Sequence, residues 1–414
     1  MVEVMKSCND CKIKEIHLLV LYFPVSHYIS NWRLVTRTTH VITFLLTDLG
    51  IVGVGEGTPY WSNIVEDYAR AISLAKAIKG LTLVDGLNKL RALEYAEFKR
   101  ERSINYGAYL ALESALLNAL YNCNKSKVKH EAELLGGIYR TKIPIAYTIF
   151  LNHPITMARK MEEPIKSGYK HIKFKIPCNL EELENTLRIL YLAKKTYGGE
   201  DVILRADVNE CFSTFEKAEK ALFIMEQYGV NIVEQPMPRK MLRDIAKLRK
   251  RFHPAIEIML DESLRKPSDI ELFAQLEVAD AINFHPSKLG CLTITREAIL
   301  QTQKLGMKVN IGSALMTEIG FSHYLNLVAS IPRLDYPLEE PGLYNLYGYG
   351  ITREPIRIIN GSTILHSIDI SYLDFNIMKK FSVGSLFRER LLMLMSKGYR
   401  GLIKVKKLTV YRSL

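Results

Sequence analysis

Five side chains, two basic and three acidic, stand at nearly even intervals in the middle of the chain, each at the end of a short apolar run. Lys173 and Lys175 lie in HIKFKIP, Asp207 in VILRADVNE, Glu234 in NIVEQPMP and Asp261 in IEIMLDES. The steps from Lys175 to Asp207, to Glu234 and to Asp261 are 32, 27 and 27 residues. A strand, a helix and two loops of a βα unit take roughly 30 residues. At the C-terminal ends of successive parallel strands in a closed barrel, such residues converge on one face. Hard oxygen donors without His or Cys select Mg²⁺ or Mn²⁺, so Asp207, Glu234 and Asp261 are candidate metal ligands. In KFK, strand alternation puts Lys173 and Lys175 on one face. Two ammonium groups this close disfavour each other's charge, so at least one is expected to have a lowered pKa and to serve as a general base. Together these groups suit removal of a proton α to a carboxylate, with a metal stabilising the enediolate.

The surrounding elements are those such a site needs. Residues 13–60 read as three strands, KEIHLLVLYFPV, HVITFLLTD and IVGVGEGTP, the last two joined through a turn at Asp48-Leu49-Gly50. Glycines 50, 53, 55 and 57 superficially suggest a nucleotide loop, but such a loop should open a helix, and Pro59 and Trp61 follow instead. Residues 62–138 turn helical, and YGAYLALESALLNALYN has the three- and four-residue spacing of a buried helix face. The first third is therefore an α+β domain. From 142, short strands alternate with helices through KVNIGSA, which implies a parallel sheet with helical crossovers. Seven or eight repeats favour a closed barrel over an open sheet.

Composition narrows the classes further. At 414 residues, 48% apolar and 24% charged, the chain suits a globular protein of two domains. No apolar run reaches the length of a membrane span, and the start lacks the apolar segment of a secretory signal. A cytoplasmic protein without membrane partners is expected. Six scattered cysteines are too few for a disulfide framework, and the lone CxxC of Cys8 and Cys11 lacks further zinc ligands. Of the net charge of +12, residues 376–414 supply +9. A basic segment of this kind can bind nucleic acid or anionic lipid. Apolar spacing in LFRERLLMLM and the strand-like GLIKVKKLTVYR favour a folded basic face, so a nucleic-acid partner is disfavoured.

The series KxK, the DxN of Asp207 and Asn209, EQP, DES and PSKxG resembles the enolase superfamily, in particular its muconate lactonizing enzyme subgroup, over about residues 13–365. The resemblance implies an α/β protein with a (β/α)7β TIM-like barrel and an α+β capping domain. The expected boundaries are 1–140 for the cap, 141–350 for the barrel, 351–375 for a return to the cap and 376–414 for a basic C-terminal extension. By residue match, Lys175 is the proton-abstracting base, Lys173 its partner, and Asp207, Glu234 and Asp261 the Mg²⁺ ligands. Where the subgroup carries a second base on strand six, this chain has His285, with Asn283 on the same face and Lys288 beyond Pro286.

Asn209, Lys288, Ser313, Arg333 and Asp335 are candidate substrate contacts. The subgroup's strand-seven glutamate aligns with Met316, and Glu318 follows two residues on. Arg333 in RLDYP would repel an ammonium and could pair with a carboxylate, which argues against an ordinary dipeptide epimerase. The implied function is metal-dependent α-proton abstraction from a small carboxylate substrate, as in a muconate cycloisomerase-like enzyme or a racemase or epimerase. A succinylbenzoate synthase-like dehydratase is the nearest alternative. A polyanion-binding protein acting through the basic C-terminal segment is the alternative of another class. A homo-oligomer is compatible with all of these.

Overall fold

The computed structural model describes residues 10–30, 33–59, 64–100, 106–342 and 350–383. Three strands open the chain: β1 (Ile13–Ser30), β2 (Arg33–Thr47) and β3 (Val52–Gly57), paired antiparallel in that order. The glycine run has a packing purpose. Gly53, Gly55 and Gly57 lie on one face of β3, and a Cβ on any of them would come within about 2 Å of the backbone of α3 (Gly107–Cys123). Their lack of side chains lets that helix lie directly on the sheet. Helices α1 (Ile64–Ile78) and α2 (Leu83–Lys99) flank α3, and the short α4 (Ala132–Leu135) leads out of the domain.

A strict alternation then begins. It runs β4 (Lys142–Ile149), α5 (Pro154–Lys166), β5 (His171–Lys175), α6 (Leu180–Thr196), β6 (Ile203–Asp207), α7 (Phe215–Gln227), β7 (Ile232–Glu234) and α8 (Leu242–Phe252). It continues through β8 (Glu257–Leu260), α9 (Asp269–Gln275), β9 (Ala281–Phe284), α10 (Pro286–Leu289), α11 (Leu292–Lys304), β10 (Lys308–Ile311), α12 (Glu318–Ala329) and β11 (Leu338–Glu339). The strands are parallel and hydrogen-bond in the order β10-β9-β8-β7-β6-β5-β4-β11. The seam between β10 and β11 is bridged by side chains: Asn310 Nδ2 donates to Glu339 Oε1 at 3.0 Å.

Local chemistry sets the helices. Asn179 caps α6, its Oδ1 accepting from the backbone N–H groups of Glu181 and Glu182 at 2.9 and 3.1 Å. Helix α8 buries Ile245, Leu248 and Phe252 and turns its basic residues outward. After the barrel, β12 (Ser362–Ile364) pairs antiparallel with β4, and α13 (Phe375–Phe381) returns to the first sheet. There Ile351, Ile368, Leu373, Phe375 and Met378 cover Leu19, Leu21, Phe23, Phe44 and Val54. A barrel with a capping α+β domain is thus present.

The scattered cysteines, too few for a disulfide framework, still supply one covalent link among the described residues. Cys178 and Cys211 form a disulfide with their Cα atoms 5.9 Å apart. They are distant in sequence, but β5 and β6 are neighbours, so the loops that follow them meet. No helix among the described residues is long and apolar enough to cross a membrane. Cys8, residues 31–32 and the basic stretch from residue 384 onward lie outside the described residues.

Candidate active site

Parallel register carries the chemistry to one end of the barrel. Lys175 on β5 pairs with Asp207 on β6, and Asp207 pairs with Glu234 on β7. Asp261 follows β8, and His285 follows β9. Phe174 is buried against the apolar layer, which leaves Lys173 and Lys175 on the opposite face of the strand. Lys173 Nζ lies 3.1 Å from Asp207 Oδ2, 3.1 Å from Glu234 Oε2 and 3.3 Å from Glu339 Oε1. Lys175 Nζ donates to Asp207 Oδ2 at 3.1 Å and to Asn209 Oδ1 at 2.5 Å.

The expected lowering of a lysine pKa does not occur at Lys173. Burial alone would lower it, but Asp207, Glu234 and Glu339 outweigh burial and raise it. In return, Lys173 and Lys175 overcome the burial of Asp207 and hold its carboxyl below the usual range. Glu234 goes the other way: burial and the repulsion of Asp207 push it up to about 7. Glu262, also buried and facing Asp261 and Asp207, is raised well above its ordinary value.

The loops are held by backbone and amide contacts. Gln235 adopts φ 42°, a left-handed conformation. Its Oε1 accepts from the backbone N–H groups of Asp261 and Ser263 at 2.9 and 3.1 Å, and its Nε2 donates to Ser263 Oγ at 2.9 Å. This explains the glutamine of EQP: one amide locks the loops after β7 and β8 together. Asn209, at φ 47°, donates from Nδ2 to Glu262 Oε1 at 3.0 Å.

His285 and Lys288 both converge on Asp261. His285 Nε2 lies 3.2 Å from Asp261 Oδ1, and Lys288 Nζ donates to the Asp261 carbonyl at 2.7 Å and to its Oδ1. Burial raises the Asp261 carboxyl, but Lys288 and His285 hold it well below its ordinary value. Lys288, a candidate substrate contact by sequence, is fully buried in α10 and bound to Asp261. Ser313 stays at the mouth, its N–H donating to Glu339 Oε2 at 3.3 Å.

Arg333 and Asp335 lie elsewhere. Asp335 Oδ2 accepts from Val309 N at 3.0 Å, and Arg333 donates to the Met307 carbonyl at 3.2 Å. Both contacts are at the start of β10, the opposite end of the barrel, because β11 begins only at Leu338. Glu318 is also drawn away, accepting from Ile351 N at 3.0 Å.

Two residues of the site escape the motif series. Arg205 lies two residues before Asp207 and so on the same strand face, where it binds Glu339 and approaches Glu234 at 3.4 Å. Glu339, at the end of β11, accepts from Lys173, Arg205, Asn283, Asn310 and the Ser313 N–H.

A model of the family described as enolase C-terminal domain-like matches residues 156–367, just over half of the chain. The chain belongs to this family. It is an enzyme of the enolase superfamily. N-succinyl-L-Arg/Lys racemase of Bacillus cereus is 24% identical over 75% of this chain and 82% of its own length. Muconate cycloisomerase 1 of Rhodococcus opacus is 25% identical over 86% and 94%. Among solved structures, the Bacillus cereus racemase superposes with a TM-score of 0.79 at 19% identity, covering 90% of this chain and 98% of that one. Muconate lactonizing enzyme of Pseudomonas fluorescens, complexed with muconolactone, gives 0.78 at 20% identity, covering 90% and 100%.

The donor set of this enolase-superfamily chain fits a divalent cation. Asp207, Glu234, Asp261, Glu262 and Glu339 are buried together with four cations, Lys173, Lys175, Arg205 and Lys288. Ligand atoms of Glu234, Asp261 and His285 lie within 4.8 Å of one another. Glu234 and Glu262 carry raised carboxyls there, and a hard cation would favour their ionised form.

Proposed function

We propose that the chain is a divalent-metal-dependent isomerase that removes a proton α to a carboxylate, with Lys175 as the base. The observation that carries this reading is the unequal engagement of the two lysines. Lys173 is ion-paired to three carboxylates deeper in the barrel, whereas Lys175 ends its strand at the mouth, between Asp207 and the loop residue Asn209. Asn209 and Asp207 orient the Lys175 ammonium group, and Lys173 fixes Asp207 and Glu234 beneath it. Glu234 and Asp261, with Asp207 beside them, would hold Mg²⁺ or Mn²⁺. The ion's contribution is to stabilise negative charge developing on the substrate carboxylate.

The site supports one proton-transferring lysine. His285 Nε2 is turned onto Asp261 and Asn283, at 3.2 Å from each. One base suits a cycloisomerase, in which a single α-proton is removed as the lactone C–O bond opens or added as it closes, better than a racemase, which needs a group on each face. Relatives named muconate and chloromuconate cycloisomerase fit that reading.

The test is proton exchange in D₂O over pooled lactones, N-acyl amino acids, dipeptides and hydroxy acids, read by mass spectrometry with Mg²⁺ or Mn²⁺ present. Lys175→Ala is expected to lower exchange by about 10²- to 10⁴-fold while metal binding persists. Undiminished exchange in that variant sinks the proposal. Exchange from both enantiomers of one substrate would replace the cycloisomerase reading with a two-base racemase.

A further inference from the structure

The loop that follows β6 carries Asn209, which orients the Lys175 amine, and its backbone is strained. Asn209 and Glu210 are consecutive and both lie in the left-handed region, at φ 47° and 65°. Glutamate rarely adopts that conformation, and such a pair persists only where its surroundings hold it. On one side the hold comes from the loop after β7. Glu210 N donates to the Gln235 carbonyl at 3.0 Å and Phe212 N to the Pro236 carbonyl at 3.3 Å, while Arg239 N donates to Glu210 Oε1 at 2.7 Å.

Toward β5 the same loop meets Lys175 and Cys178. Asn209 Oδ1 accepts from Lys175 Nζ at 2.5 Å, and two residues further on Cys211 is bonded to Cys178. Cys178 itself stands three residues after Lys175, beyond the buried Ile176 and Pro177. These links close a short ring. It runs from Lys175 along one loop to Cys178, through sulfur to Cys211, along the other loop to Asn209, and back to Lys175 by hydrogen bond. Opening the ring at sulfur lets Asn209 and Glu210 relax from the left-handed region and draws the Asn209 amide away from the lysine. Both cysteines are half-buried, so a small thiol can reach the bond.

We propose that the Cys178–Cys211 disulfide is a redox-sensitive positioning element for Lys175: the oxidised chain holds the amine in place, and reduction slackens it and slows proton transfer. This rests on the reading of Lys175 as the base. The reductant is a dithiol. One of its thiolates attacks a cysteine sulfur and expels the other cysteine as thiolate, and its second thiol then expels the first. The S–S bond becomes two S–H groups. The two electrons and two protons come from the dithiol, which leaves as its own disulfide. Exchange with a small disulfide runs the same steps in reverse.

The experiment compares full-length protein oxidised with hydroxyethyl disulfide and reduced with dithiothreitol. Non-reducing digestion of the oxidised protein is expected to release a peptide pair joined through Cys178 and Cys211, and its absence overturns the proposal. Reduction is expected to quicken amide deuterium exchange across residues 208–212 and to raise reductive methylation of Lys175. Neither readout needs a substrate or a variant that folds. In α-proton exchange on the pooled carboxylates with Mn²⁺ present, reduction is expected to lower the maximal rate about 10- to 100-fold. Mn²⁺ affinity should stay unchanged, and reoxidation should restore the rate. A Cys178→Ser/Cys211→Ser variant, shown folded by circular dichroism, should match the reduced protein and ignore dithiothreitol. Lys175 labelling that is indifferent to reduction overturns the proposal, as does an undiminished maximal rate in reduced protein or an equal response to dithiothreitol in the double variant. Lys175→Ala separates the two proposals. Exchange retained in that variant sinks the base, whatever the labelling shows. Exchange lost there, with labelling indifferent to redox state, sinks the disulfide's role alone.

Discussion

Glu339 ties the polar floor of the site together, receiving hydrogen bonds from Lys173, Arg205, Asn283, Asn310 and the Ser313 N–H. Burial alone would raise its carboxyl, but Lys173 and Arg205 bring it down to about 2 from an ordinary 4.5. A carboxylate held down in the fold stabilises it above the ordinary pKa and loses that contribution as pH falls through the folded value. Glu339→Gln is therefore expected to cost about 3–5 kcal/mol near neutrality, since it strips a counter-charge from two buried cations. In acid titrations followed by circular dichroism, the variant should also lose part of the stability slope between about pH 4.5 and 2. An unaltered slope would show that Glu339 does not carry it. The sequence concealed this residue because β11 contains only Leu338 and Glu339, too few for strand alternation to register. Lys173, Lys175, Asp207, Glu234 and Asp261 were legible because each ends an apolar strand run. Arg205 was within reach of the same reasoning, through its two-residue offset from Asp207.

At the scale of elements, the cap grips the barrel by its helix ends. Glu56 on β3 accepts from Thr317 N and Gly320 N at the start of α12, at 2.9 and 2.7 Å. Glu94 on α2 accepts from Cys291 N at 3.1 Å, just before α11, and Glu113 on α3 accepts from Thr293 N at 3.3 Å, within its first turn. Carboxylates at helix N-termini meet unpaired N–H groups and the positive end of the helix dipole. None of this was legible, because the partners lie some 180 to 264 residues apart and no local period links them. The same interface holds His323, whose Nδ1 meets Glu131 Oε2 at 2.8 Å. Burial would lower the His323 pKa, but Glu131 raises it overall. A raised histidine stabilises the fold below its ordinary pKa and loses that contribution as pH rises through the folded value. Thermal melts should accordingly weaken on the alkaline side of pH 6.5, and His323→Gln should flatten that decline. The Cys178–Cys211 link acts between elements too, closing a 33-residue separation across the loops after β5 and β6. Chain-entropy arguments give such a link about 3–4 kcal/mol. Reductant should lower the unfolding free energy by that amount in the wild-type protein and leave a Cys178→Ser/Cys211→Ser variant unmoved.

Across the whole molecule, the barrel gathers five buried carboxyl groups at one end, and the raised carboxyls of Glu234 and Glu262 among them would couple stability to a bound metal. The strands that deliver Asp207, Glu234 and Asp261 are β6 to β8, so an ion held by these three would cross-link three adjacent strands. An ion that binds only the folded chain adds stability by mass action, about 2.7 kcal/mol at 100 times its dissociation constant. The melting temperature should rise with the logarithm of Mn²⁺ concentration, and Asp261→Asn should abolish that dependence. The pH window follows from Glu234, which burial and Asp207 push up to about 7. A raised carboxyl binds its proton more tightly in the folded state, so metal-free stability should fall as pH rises from about 4.5 to 7. The ion and that proton compete for the same carboxylate. Stabilisation by Mn²⁺ should therefore grow over the same interval, offsetting the decline. Melts at constant ionic strength with and without Mn²⁺ decide the matter: curves that stay parallel from acid to neutral pH would mean that Glu234 does not exchange its proton for metal.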